Sequence, residues 1–409
     1  MLTLEPALRR QASRRNFAIA IALAGGGPLG AFYELGALHA IEEVIIGRTL
    51  TDYDMYVGVS SGSLLAAGLA NGFDSTRMGS ALIQGESTLV PFSPKLLLQP
   101  AVAEYLRRVA RLPRALRGSA RLWSADALRS VWPAMLSVLT KIIPLAVFDS
   151  RPLERFLHEL FTQPEHTDDF RALRRQLRVV AAELDTGRTV VFGDSRHRHV
   201  PISRAVVASA ALPGLYAPVS IEGRDYVDGA LVRTMYASLA LEAGCDFVIC
   251  INPLVPFDAS GGKRRRALAE EGFDTVLGQT FRTLIHSRMQ VGMASFRARF
   301  PHADTLLFEP DRHDEMMFFT NVFRYSGRHH LAEHAYQQTR RDLRIHATAL
   351  QRLLRRHGLE LDFKKLRDAR RTFTSAAREH SAHLRRTTRR LADALGELEG
   401  MLPVRTRPD

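Results

Sequence analysis

The stretch Asp54-Met-Tyr-Val-Gly-Val-Ser-Ser-Gly-Ser63 constrains the fold of this chain more than any other. An apolar run ends in Gly58-Val59-Ser60-Ser61-Gly62 and passes directly into the alanine- and leucine-rich segment 64–69. A G-x-S-x-G sequence between a strand and a helix is the pattern of a nucleophile elbow. It lifts a serine onto a sharp turn whose glycines let neighbouring backbone come close. The turn also aims the amides of the following helix at charge developing beside the hydroxyl. Glycine–serine turns are common, so the pentapeptide alone reads first as a plain small-residue turn. Its weight depends on whether the chain also supplies oxyanion donors and a base.

A second glycine turn lies upstream. Residues 16–24 form a continuous apolar run, as expected of a central strand buried on both faces. Gly25-Gly26-Gly27-Pro28-Leu29-Gly30 follows, and 31–45 reads as a helix, with Pro28 suited to a first helical turn. Met55–Val59 is the next strand, and 63–71 belongs to the helix after the elbow. Strand, helix, strand, helix predicts a parallel sheet with right-handed crossovers. Both glycine turns then fall at the carboxyl ends of neighbouring strands, where open α/β sheets place their sites. Consecutive amides from Gly25, Gly26 and Gly27 at a helix N-terminus suit an oxyanion. Asp228 heads another tight turn, with Gly229 permitting close approach. A nucleophile, a base and amide donors are the parts an acyl-transfer site needs.

At 409 residues and 46% hydrophobic content the chain can bury a large core. The net charge of +13 points to an anionic partner, either a membrane surface or nucleic acid. No zinc spacing or aromatic-rich strand signature supports nucleic acid, so none is expected. Cys245 and Cys250 share one apolar stretch and read as core residues of a protein in a reducing compartment. Ser13-Arg-Arg-Asn-Phe17 mimics a twin-arginine export signal, yet cleavage after it would remove the glycine loop. A basic lead-in to a buried strand is the better reading. No uninterrupted apolar stretch of about 18 residues occurs, so no transmembrane helix is expected. The expected location is cytoplasmic, with peripheral contact to the inner face of the membrane.

Residues 85–148 change character, with six prolines, basic amphipathic pieces, Trp123 and Trp132. This reads as a helical insertion, serving either as a lid or interfacial segment or as an ordinary cap on the sheet. Regular patterning resumes with Ser150-Arg-Pro-Leu, a helix start. Residues 178–184 and Thr189–Phe192 read as a strand pair, 202–211 as a helix, and Phe247–Ile251 and 305–308 as core strands. Beyond 345 no strand signal remains. The arginine-rich tail, with Leu384, Leu391 and Leu398 at heptad spacing, reads as helix packing one stripe on the body.

With these segments in view, the chain resembles the bacterial patatin-like phospholipases. Gly25-Gly-Gly-Pro-Leu-Gly30 resembles that family's oxyanion loop and Gly58-Val-Ser-Ser-Gly62 its elbow. The block Ala208-Ser-Ala-Ala-Leu-Pro-Gly-Leu-Tyr-Ala-Pro218, followed by Tyr226-Val-Asp-Gly-Ala230, resembles the segment carrying its aspartate. The resemblance implies a three-layer α/β/α sandwich over 16–345, preceded by a basic lead at 1–15 and followed by a basic helical tail at 346–409. It implies a Ser60–Asp228 dyad without histidine or metal. Gly25, Gly26 and Gly27 would form the oxyanion hole, supported by Gly30, Gly58, Gly62 and Gly229. The substrate would be a phospholipid or another acyl lipid, and no cofactor is required. Two segments depart from the family pattern: Leu29 stands where Arg or Lys is usual, and Thr234 and Tyr236 stand where Asn and Pro are usual.

Three other readings compete. Gly25-x-Gly27-x-x-Gly30 satisfies a dinucleotide fingerprint, with Glu42, Glu43 or Asp52 on the ribose. A hydrolase with a histidine triad is a second, although no histidine recommends itself as base. An inactive scaffold whose basic tail binds a membrane or a protein is the third.

Overall fold

A computed structural model describes residues 1–8, 18–84, 93, 96, 99–101, 146–260, 268–319 and 327–375. Among the described residues, nine strands form one sheet: β1 (Leu2–Glu5), β2 (Ile19–Leu23), β3 (Met55–Val59), β4 (Gln176–Glu183), β5 (Thr189–Phe192), β6 (Val219–Ile221), β7 (Arg224–Asp228), β8 (Phe247–Ile251) and β9 (Asp304–Phe308). Their order is β1-β9-β8-β2-β3-β4-β7-β6, with β5 also paired to β4. The run β9-β8-β2-β3-β4 is parallel, and β1, β5, β6 and β7 add antiparallel pairings.

The composition of β2 explains the layers. Its sequence Ile-Ala-Ile-Ala-Leu is buried throughout, and side chains alternate faces along a strand. Ile19, Ile21 and Leu23 pack with α1 (Gly27–Val44), α2 (Ser61–Ala70), α3 (Arg151–Phe161) and α4 (Ile202–Ser209). Ala20 and Ala22 face the other layer, where their small side chains receive α5 (Ala237–Glu242) and the inner face of α6 (Phe273–Arg299). On the first face, α7 (Arg328–Ile345) lies along α1, and α8 (Ala347–Arg356) follows it. The result is a helix–sheet–helix sandwich with a mainly parallel sheet, as expected. Each Ile or Leu withdrawn from water here contributes about 1.5–3 kcal/mol. Among the described residues, no helix is long and apolar enough to cross a membrane.

Several boundaries differ from expectation. β1 lies inside the expected basic lead and extends the sheet, with Leu2 opposite Phe308. Four residues with one buried side chain carry too little pattern to be recognised in sequence. α1 starts at Gly27 and α2 at Ser61, both earlier than expected, so the two helix N-termini lie directly at the glycine turns. A strand does occur beyond 345: Glu360–Leu361 pairs antiparallel with Ile45–Ile46. Leu350, Leu353, Leu354, Leu359, Leu366 and Phe373 are buried, so the chain remains part of the body well past residue 346. The heptad leucines, the arginine pair near the N-terminus, Trp123, Trp132 and most of 85–148 lie outside the described residues. From that insertion, Ala146–Phe148 pairs in parallel with Gly214–Tyr216.

The C-terminal segment is clamped by a buried charge pair. Arg340 of α7, 1% exposed, donates to Glu43 of α1 at 2.8 Å. Its other nitrogen donates to the carbonyls of Lys365 at 2.7 Å and Asp368 at 2.9 Å. Tyr336 and Arg371 also bond the Glu43 carboxylate. Truncation at Arg340 would strand a buried carboxylate and several carbonyls. Arg340→Ala is therefore expected to lower the unfolding free energy by about 3–5 kcal/mol. The readout is the urea midpoint at an unchanged m-value; a loss below about 1 kcal/mol would contradict the clamp.

Candidate active site

The register of β4 explains how distant segments meet. Val180 pairs with Val59 of β3 and with Val191 of β5. The next residue, Ala181, pairs with Asp228 of β7 and with Val190 of β5. Because β5 holds one edge of β4 through both positions, β3 and β7 lie end to end along the other. They run in opposite directions, so Ser60, just after Val59, comes head to head with Asp228.

Ser60 occupies the elbow at φ 52 and ψ −127, a conformation that costs a side-chain-bearing residue about 1–3 kcal/mol. Several contacts hold it there. The Ser60 amide donates to Ser209 Oγ at 2.8 Å, and that hydroxyl donates to the Val180 carbonyl at 2.5 Å. The Ser60 carbonyl accepts from the amide of Ser63 at 3.0 Å and its hydroxyl at 2.6 Å. Gly62 is required by proximity, since a Cβ there would lie 2.5 Å from the Ala24 carbonyl oxygen.

The Ser60 hydroxyl donates to Asp228 Oδ2 at 2.6 Å, while the Ala230 amide donates to Oδ1 at 2.8 Å. Both Ser60 and Asp228 are buried. Burial disfavours the carboxylate and pushes the Asp228 pKa up to about 6, although the bonds from Ser60 and Ala230 pull the other way. Gly229 keeps this turn against β4, because a Cβ would lie 2.4 Å from the Val180 carbonyl oxygen.

The three loop glycines are not equivalent. The Gly25 amide donates to the Thr234 carbonyl at 3.2 Å, and the Gly26 amide to Ser61 Oγ at 3.0 Å. The Gly27 amide, at the first position of α1, has no acceptor among the described residues. Leu29 is buried in the core face of α1 and brings no charge to the loop. Ser61 and Ser209 were not singled out in sequence. Both act through hydrogen bonds to partners far along the chain, for which a single hydroxyl gives no signal.

The competing site residues are engaged elsewhere. Glu42 bonds Ser75, Glu43 is buried in the Arg340 clamp, and Asp52 pairs with Arg175. Among the described residues, no histidine is bonded to Ser60 or Asp228, and no group of three or more His, Cys, Asp or Glu could hold a metal. Cys250 and Cys245 are buried, and burial raises both thiols, Cys245 to about 12.

A family model described as patatin-like phospholipase matches residues 21–241, more than half of the chain and all of this site. Among solved structures, the chain is similar to VipD from Legionella pneumophila at 14% identity and a TM-score of 0.36, covering 84% of this chain and 71% of that one. It is similar to ExoU, in complex with SpcU from the type III secretion system of Pseudomonas aeruginosa, at 14% identity and a TM-score of 0.25, covering 71% and 54%. A third is human GIVD cytosolic phospholipase A2 in complex with methyl gamma-linolenyl fluorophosphonate, at 13% identity and a TM-score of 0.32, covering 81% and 59%. The chain thus spans little more than half the length of the last two.

The raised Asp228 pKa has a consequence for stability with a definite sign. The fold holds the Asp228 proton more tightly than the unfolded chain does. Its stabilising contribution is full below the unfolded pKa, near 4, and is lost as pH rises through about 6. By this linkage, ionised Asp228 weakens the fold by on the order of 3 kcal/mol above about pH 7. Asp228→Asn preserves the shape without the buried charge. It should melt above the wild type near pH 8, with the difference shrinking toward pH 4 in parallel thermal scans. A difference independent of pH would contradict the buried, elevated carboxyl.

Proposed function

The chain belongs to the patatin-like phospholipase family, and from that premise we propose that it is a lipid acyl hydrolase working through a Ser60–Asp228 dyad. The observation that carries this reading is the 2.6 Å bond from the Ser60 hydroxyl to the buried Asp228 carboxylate, whose burial pushes its pKa up to about 6. An ordinary aspartate, with a pKa of about 3.9, is a weak base toward a hydroxyl. Raising it toward neutrality strengthens the base while leaving most of it ionised at physiological pH.

In the proposed reaction, Ser60 Oγ attacks the ester carbonyl carbon as its proton passes to Asp228. The tetrahedral oxyanion is stabilised by the Gly27 amide and by the positive ends of α1 and α2, which converge at the two glycine turns. Collapse breaks the ester C–O bond, and Asp228 returns the proton to the departing alcohol. Water, deprotonated by Asp228, then attacks the acyl-Ser60 ester; the acyl C–Oγ bond breaks, Asp228 returns the proton to Ser60 Oγ, and the fatty acid is released. Phospholipids are the first-choice substrate, with neutral acylglycerols or other acyl esters next. The domain reading that accompanies this places catalysis in 16–345, with the insertion at 85–148 serving either as a lid or as an ordinary cap.

A catalytically inactive scaffold is the second reading. It is favoured by the engagement of the Gly25 and Gly26 amides within the protein and by Leu29 in place of a cation. A fluorophosphonate probe separates the two. The enzyme reading expects labelling that maps to Ser60 and is absent in Ser60→Ala. It also expects fatty-acid release from mixed phospholipid vesicles to fall about 10²–10⁴-fold in Asp228→Asn. Folded wild type that neither labels nor releases fatty acid would favour the scaffold.

A further inference from the structure

We propose that the outer face of α6 is the surface by which this protein docks on an anionic phospholipid bilayer, an inference that rests on the acyl-lipid reading of the site. α6 has 27 residues, so it is about 40 Å long. Its inner face is formed by His286, Met289, Met293 and Phe296, all buried. On the opposite side Leu277, Leu284 and Val291 recur every seven residues, 41%, 57% and 72% exposed, with Phe281 beside them at 45%. Residues seven apart on a helix form a single line. One exposed leucine is ordinary, but a continuous apolar line along one helix marks a contact surface.

Charge selects the occupant. Between Thr275 and Arg299 the helix carries Arg282, Arg288, Arg297 and Arg299 and no acidic residue. Arg282 is folded back over Phe318 and Arg299 pairs with Glu242, whereas Arg288, seven residues after Phe281, is exposed beside the outer line. An acid-free line of Leu, Phe and Val with interspersed cations matches the boundary between anionic headgroups and acyl chains. A second copy of this chain would instead bring the same excess of +13 against it.

The face also adjoins the site. Arg288 Nη1 reaches the Leu231 carbonyl at 3.5 Å, and Leu231 closes the turn that begins at Asp228. Met289, one residue on, contacts Asn252 at 3.1 Å, and the neighbouring Pro253 packs against Gly26 and Gly30. Through Arg288 a bilayer seated on the outer face of α6 would therefore adjoin the aspartate turn, with the glycine loop on the inner side of the same helix.

The test uses the full chain carrying Leu284→Glu and Val291→Glu together, compared with wild type. Flotation is measured with phosphatidylglycerol–phosphatidylcholine vesicles and with phosphatidylcholine alone. Fluorophosphonate labelling in solution and thermal midpoint are followed in parallel. Wild type should float with the anionic vesicles, and less so in high salt. The double variant should lose at least about tenfold in vesicle affinity, with labelling and midpoint retained. Unchanged flotation of the folded double variant would overturn the proposal. So would a wild-type dimer that the variant splits while vesicle binding persists. Wild type that floats through α6 but resists labelling would sink the catalytic reading and leave the docking face standing.

Discussion

Strand β4 serves two strands in succession along one edge, and the proposed chemistry depends on that arrangement. β3 arrives from one direction and stops at Val59; β7 arrives from the other and stops at Asp228. Where they meet, the sheet has no further backbone partner to offer, and two side chains occupy the junction. The hydroxyl and carboxyl are thus set by sheet register, a rigid reference that a loop could not provide. Ser209 reinforces the junction by joining the Ser60 amide to the Val180 carbonyl, so elbow and strand edge cannot shift independently.

This geometry opposes stability at two points. Ser60 is held in an unfavourable backbone region and Asp228 is kept from water. Both are tolerated because the surrounding structure is overdetermined. The elbow is pinned on several sides, and the sheet behind it is filled by the alternating Ile and Ala of β2 and by helices on both faces. The Glu43–Arg340 clamp lies on the α1–α7 side and ties the chain beyond residue 345 to the same helix that begins at the glycine loop.

Much of the site was legible in sequence because each part is a contiguous constraint. The elbow, the glycine loop and the Asp-Gly turn need particular residue types at adjacent positions. β2, β3 and β8 are short apolar runs whose length and flanking turns suit strands buried on both faces. What stayed hidden depends on distance along the chain or on solvent exclusion. The Gly26 amide is taken by a hydroxyl 35 residues away, and Glu43 meets Arg340 across 297. β1 is too short to carry a pattern. α6 is apolar on two opposite faces, so it lacks the contrast between a wet and a dry side that marks most helices. The elevated Asp228 carboxyl is a property of burial, which no local motif encodes.

The most direct measurement is the second-order rate of fluorophosphonate inactivation as a function of pH, for wild type and Asp228→Asn. If a buried Asp228 activates Ser60, the wild-type rate should rise through a single ionisation near pH 6, matching the raised carboxyl. That ionisation should be absent in the variant. A wild-type profile that is flat from about pH 5 to 8, or a rise that survives Asp228→Asn, would contradict the dyad, because Ser60 would then react without the carboxylate that β4 brings to it.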